Sequence, residues 1–285
     1  MIGRVVVIGA GTMGAGIAHA VALAGCELRL SDSDAGAVAR ALTKIRTTLS
    51  DGASRKKISA EDADAAFARI TAAPDLRAAA DEADLLIEAV VEDLDIKRQV
   101  FAEADRITRP TTILATNTSS LSVSRIAAAT ANPSRVVGMH FFNPVHVMQL
   151  VELVIHDRTD PSILPTLREF VARMNKTSIV VRDSPGFASS RLGVALGLEA
   201  MRMLEQGVAS AADIDTAMTL GYGHPMGPLR VSDLIGLDVR LKIADYLHRE
   251  LGAPHFEPPE ILRQKVRDGE LGRKTGKGFY DWPRE

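Results

Sequence analysis

The order of apolar and polar positions divides the chain into two regimes. Over the first two thirds, short β-branched runs alternate with stretches of helical periodicity. RVVVIGA (4–10) reads as a strand buried on both faces. A helical pattern runs from about Met13 to Ala24 and stops at Gly25. ELRLSD then leads to Asp32, and LLIEAV (85–90), TTILAT (111–116), RVVGMH (135–140) and SIVVRD (178–183) repeat the strand pattern. Such alternation predicts an α/β fold built on a Rossmann-type, doubly wound, mostly parallel sheet. Residues 34–73 break the rhythm, being helical almost throughout. SAED (59–62) carries the serine and the later acid of a helix start. This predicts an inserted helical hairpin with the basic cluster SRKKIS (54–59) near its tip, which read alone is a solvated charged turn.

Past DSPG (183–186) the strand pattern ends. Pro185 suits the first turn of a helix, and from Gly186 onward only helices are expected. Residues 187–206 are apolar nearly all round, which predicts a buried helix packed on a partner as well as on its own domain. The division therefore falls near 184, with 1–184 as a Rossmann-like domain and 185–285 as an all-helical, all-α C-terminal domain.

Composition narrows the function. Hydrophobic residues make up 46% of 285 residues, which is globular and ample for a core. A net charge of −2 supplies no field that would recruit nucleic acid or an anionic membrane. No stretch approaches the roughly 18 uncharged apolar residues of a membrane span. No secretory signal is visible, and the one cysteine, Cys26, makes no internal disulfide. The expected location is the cytoplasm.

The first chemical motif is the run Gly9, Ala10, Gly11, Thr12, Met13, Gly14. It follows a strand, opens a helix and precedes Asp32 by eighteen positions. That context turns a weak glycine pattern into a dinucleotide fingerprint. Gly9 makes the tight turn, Gly11 admits a pyrophosphate, and Gly14 lets helix and strand pack closely. The helix start offers amide hydrogens to phosphate. Asp32 accepts from ribose hydroxyls and repels a 2′-phosphate, so the predicted cofactor is NAD and not NADP.

Hydride transfer from an alcohol needs a base for the hydroxyl proton, and imidazole suits it. GMHFFNPVHVMQLVEL (138–153) holds two histidines and, twelve residues after the first, Glu152. His140 ends a strand candidate, where ligands of open α/β sheets bind. His146 lies beyond Pro144 with no such anchor. Position favours His140 as base, with Glu152 as its partner if the chain turns back.

These segments, with GAGTMGAGIA, IEAVVEDLDIK, NTSSL, DSPGF, GHPMGPL and GRKTGKGFYDW, resemble the L-3-hydroxyacyl-CoA dehydrogenases in order and spacing over nearly the whole chain. The resemblance implies reversible oxidation of an (S)-3-hydroxyacyl-CoA with NAD, with His140 as base and Glu152 orienting it. It implies that Ser119 holds the substrate's 3-oxygen near the nicotinamide, and that Asn143, Glu92, Lys97 and Lys274 contact the cofactor. The hairpin matches the element that grips CoA, with Thr48 and Arg55 at contact positions. Arg55, Lys56 and Lys57 would face its phosphates. A homodimer through the C-terminal domain is implied as well. Two positions depart from the family pattern: Ser190 stands where asparagine is common beside the catalytic histidine, and His146 where proline is common. Two other readings compete, an NAD-dependent dehydrogenase of a free hydroxy acid or polyol acid on the same scaffold and a non-catalytic NAD-binding protein.

Overall fold

Among the described residues eight strands form one sheet: β1 (Arg4–Ile8), β2 (Glu27–Ser31), β3 (Ile70–Ala72), β4 (Leu85–Glu88), β5 (Ile113–Thr116), β6 (Val136–Phe141), β7 (Leu150–Ile155) and β8 (Thr177–Arg182). Their order is β3-β2-β1-β4-β5-β6-β7-β8. All neighbours are parallel except β6 and β7, which run antiparallel. This computed structural model describes residues 1–80 and 82–283, in two compact units, Met1–Asp183 and Ser184–Glu285.

The helices of the first unit are α1 (Thr12–Leu23), α2 (Ala35–Ser54), α3 (Ala60–Ala68), α4 (Leu76–Ala80), α5 (Leu94–Ile107), α6 (Val123–Ala127) and α7 (Leu164–Arg173). Those of the second are α8 (Ser189–Glu205), α9 (Ala211–Tyr222), α10 (Pro228–Ile235), α11 (Leu237–Leu251) and α12 (Glu260–Arg267). None is long and apolar enough to cross a membrane among the described residues.

The hairpin is α2 and α3. Asp34 caps α2 by accepting from the Gly36 amide at 2.8 Å, and Ser59 caps α3 by accepting from Asp62 N at 2.9 Å. The helical expectation for 34–73 overruns at its end. Residues 70–72 leave the helix and pair with β2 as the edge strand β3. Three residues are too few for a period to show, and the pairing edge of β2 decides their conformation.

Apolar faces of α1, α2 and the central strands meet in one core, with Val7, Ile17, Val21, Leu30, Ile45 and Ile87 buried. The second unit has a core of its own around Val194, Leu198, Met201, Leu237 and Phe256. There α8 buries one face, while Leu192 is 71% exposed. The helix expected to be buried all round is amphipathic in the single chain. The glycine-rich C-terminal segment wraps Asp233, whose carboxylate accepts from the Phe279 and Tyr280 amides and from Trp282 Nε1. A Cβ on Gly278 would sit 2.2 Å from that carboxylate. Packing against Asp233 thus accounts for Gly272 and Gly278.

Candidate active site

The glycine turn joins β1 to α1. Gly9 has φ +98°, and a Cβ there would lie 2.5 Å from the Ala89 carbonyl oxygen. A Cβ on Gly14 would lie 1.7 Å from Gly9 O, so helix and turn touch backbone to backbone. A Cβ on Gly11 meets nothing within 4 Å; the protein leaves that side open. Asp32, just past β2, accepts from the Ala10 amide at 2.7 Å and from Asp34 N at 2.9 Å. A cleft of about 740 Å³ opens here, lined by Gly9, Gly11, Thr12, Met13, Asp32 and Val91 among others. It has the size of a ligand site and lies outside the carboxyl ends of β1, β2 and β4. A second cavity, about 390 Å³, reaches Arg4, Glu27, Arg29 and Arg69 towards the opposite strand ends.

His140 and Glu152 are register partners across the antiparallel pair β6–β7. Their side chains meet, Nδ1 to Oε2 at 2.7 Å, with His140 6% and Glu152 0% exposed. A twelve-residue spacing places them opposite one another because residues 142–149 reverse the chain. With a carboxylate against Nδ1, that nitrogen carries the proton and Nε2 is the basic one. The amide of Phe141 donates to Asn117 Oδ1 at 2.9 Å, which fixes the strand end. Gly16 of α1 packs on Val145, with a Cβ there 2.8 Å from Val145 Cγ2. This contact seats the loop against α1, and Asn143 lines a small cavity together with Thr12 and Thr48.

A buried network underlies the ends of β4 and β5. Lys97 Nζ donates to Glu88 Oε1 at 2.6 Å and lies 3.4 Å from Glu92 Oε2. Lys97 and Glu88 are fully buried. Glu88 also accepts from Thr116 Oγ1 and from the Val90 amide, both at 2.7 Å. These bonds occupy the carboxylate's remaining lone pairs, which is the condition a buried ion pair must meet to offset its desolvation. Glu92 reaches further and accepts from Thr118 Oγ1 at 2.6 Å and from Ser119 N at 3.0 Å. Ser119 is thereby tied to Glu92, and Lys97 stands behind both.

Glu88 and Thr118 escaped the reading of the sequence. The available signal was an acid inside the apolar run LLIEAV, followed nine residues later by a lysine on a helix. On the hairpin, Thr48 Oγ1 donates to Lys44 O at 2.9 Å, while Arg55 and Lys56 stand exposed where α2 ends. In the second unit, Ser190 lies in the first turn of α8, and Lys274 Nζ pairs with Asp238 Oδ1 at 2.5 Å.

A glycine turn with its acid, and a carboxylate-backed imidazole along the same sheet edge, define a nicotinamide-dependent oxidoreductase. Comparison with known proteins narrows that class. The family model for the 3-hydroxyacyl-CoA dehydrogenase NAD binding domain matches residues 4–184, and that for the C-terminal domain matches 186–282. The chain belongs to the 3-hydroxyacyl-CoA dehydrogenase family and uses NAD. It is 42% identical over 281 residues to a 3-hydroxybutyryl-CoA dehydrogenase of Mycobacterium tuberculosis, covering 98% of each chain. The crystal structure of an (S)-3-hydroxybutyryl-CoA dehydrogenase from Ralstonia eutropha superposes with a TM-score of 0.95, at 37% identity and full coverage of both. A 3-hydroxybutyryl-CoA dehydrogenase structure from Escherichia coli gives 0.96 at 40% identity, covering all of this chain and 61% of that one.

Proposed function

We propose that the protein catalyses the reversible oxidation of an (S)-3-hydroxyacyl-CoA to the 3-oxoacyl-CoA. The observation that carries this reading is the buried His140–Glu152 pair at the sheet edge that also holds the glycine turn. Bound NAD supplies the hydride acceptor. His140 Nε2 takes the proton of the 3-hydroxyl, and Glu152 holds the ring's tautomer and balances the imidazolium that forms. Ser119, placed by its bonds to Glu92, donates to the 3-oxygen. Gly9, Gly11, Thr12, Met13 and Gly14 cradle the pyrophosphate, and Asp32 accepts from the adenosine ribose. Glu92 and Asn143 orient the nicotinamide half, with Lys97 neutralising Glu92 from beneath. Lys274 also serves the cofactor.

Thr48, Arg55 and Lys56 take the CoA moiety, and Ser190 borders the acyl group. The family affiliation supports the acyl-CoA substrate, and the exposed basic hairpin tip supplies charge for its phosphates. The same reading makes the protein a cytoplasmic homodimer, formed through the second unit.

The test is NADH oxidation with a series of 3-oxoacyl-CoA esters, starting from acetoacetyl-CoA, with free acetoacetate as control. Turnover of the esters and not of the free acid is expected; turnover of the acid alone overturns the reading. His140→Asn should lower kcat by ~10²–10⁴-fold while NADH binding, followed by fluorescence, persists. Full activity in that variant would mean that another group is the base.

A further inference from the structure

Two histidines outside the catalytic pair meet beside the hairpin. His19 on α1 and His146 in the loop after β6 have ring centroids 6.1 Å apart, inclined at 70°. Together with Lys44, Thr48 and Asn143 they line a cavity of about 60 Å³. His19 is 7% exposed, and its Nδ1 has no hydrogen-bond partner among the described residues. A buried polar atom facing no acceptor or donor is costly, and such atoms mark places where another polar group is missing.

Burial, and then the cations Lys57 at the hairpin tip, Lys176 just before β8 and Lys44 on α2, push the His146 pKa down. Lys176 Nζ donates to the Val145 and Met148 carbonyls at 2.5 and 2.7 Å, which anchors the loop. Lys44 and Lys57 have no carboxylate partner among the described residues. His19 is held near a pKa of about 4 by burial, then by His146 and Lys176, so it stays neutral at working pH. The result is a lined hollow of positive potential with unused donors, on the side of the hairpin that carries Thr48.

We propose that His146, braced by His19 and flanked by Lys44, Lys57 and Lys176, forms a second wall of the acyl-CoA site and receives a phosphate oxygen of the coenzyme A moiety. This rests on the acyl-CoA reading above. The cofactor's pyrophosphate offers the same chemistry from the Thr12 side. The hairpin origin of Lys44 and Lys57 favours coenzyme A. A phosphate beside His146 favours its imidazolium, so binding takes up a proton there and tightens as the pH falls.

The experiment compares wild type with His146→Gln, and with Lys44→Gln as a second variant. It measures KM for acetoacetyl-CoA, for the phosphate-free N-acetylcysteamine thioester of acetoacetate, and for NADH. Both variants should raise KM for the CoA ester ~3–10-fold, the range of one partly exposed charge-assisted contact. They should leave kcat and the other two KM values unchanged. Between about pH 7.5 and pH 5.5, KM for the CoA ester should fall more steeply in wild type than in His146→Gln. The 3′-phosphate titrates in the same range in both proteins, so the difference reads His146.

An unchanged KM for the CoA ester overturns the proposal. So does an equal rise for the phosphate-free thioester, or a rise confined to NADH. Wild type that turns over no CoA ester would instead remove the acyl-CoA reading beneath it.

Discussion

At the scale of single residues, two buried histidines differ in what faces them. His140 is buried against a carboxylate, and His19 is buried without one. The consequence for His19 appears in stability. Its folded pKa of about 4 lies below the unfolded value of 6.5, so the unfolded chain binds the proton first. Its contribution is intact above pH 6.5 and is lost as the pH falls through the window down to 4. The full window corresponds to a penalty of about 3 kcal/mol. His19→Gln removes the titration. The unfolding free energy of wild type should therefore drop relative to the variant between those two pH values, as read from urea midpoints at each pH. Parallel curves would show that His19 is not held neutral.

At the scale of elements, the turn between β1 and α1 separates packing from binding. Gly9 and Gly14 are glycines because the fold has no room for a Cβ, whereas a Cβ on Gly11 meets nothing within 4 Å. Gly11→Ala should leave the melting temperature unchanged and weaken NADH ~10-fold or more, because the added methyl stands where the pyrophosphate approaches. A loss of thermal stability in Gly11→Ala would mean that this glycine, too, serves the fold. These elements were legible because β-branched runs and a glycine turn are local signals. β7 was absent from the strands read in the sequence and entered only as a possible return of the chain, since LVELVI carries Glu152 at its centre. That acid fits a buried strand only once His140 stands opposite it. Glu88 was hidden for the same reason, its partner Lys97 lying one helix turn into α5. A buried charge is intelligible only with its partner in view, and the partner is a property of the tertiary structure. The strand β3, with three residues, carries no periodic signal at all.

At the scale of the whole molecule, apolar surface is unevenly shared. The second unit spans 102 of the 285 residues (285 − 183), yet it carries seven of the twelve exposed large hydrophobic side chains among the described residues. Leu220 and Tyr222, at the end of α9, are 83% and 79% exposed. Scattered exposed apolar residues are ordinary, but their concentration in the smaller unit is what the proposed association with a second copy would use. A second copy of the chain is the occupant that the proposed function assigns to it. Sedimentation equilibrium of the wild type should then give twice the chain mass of 30.5 kDa. Leu220→Glu combined with Tyr222→Glu should give a single chain mass, because two buried, unpaired carboxylates would face each partner surface. The variant's melting temperature should fall with it, since association stabilises the folded chain by mass action. A wild type that sediments as a monomer at micromolar concentration would remove the dimer.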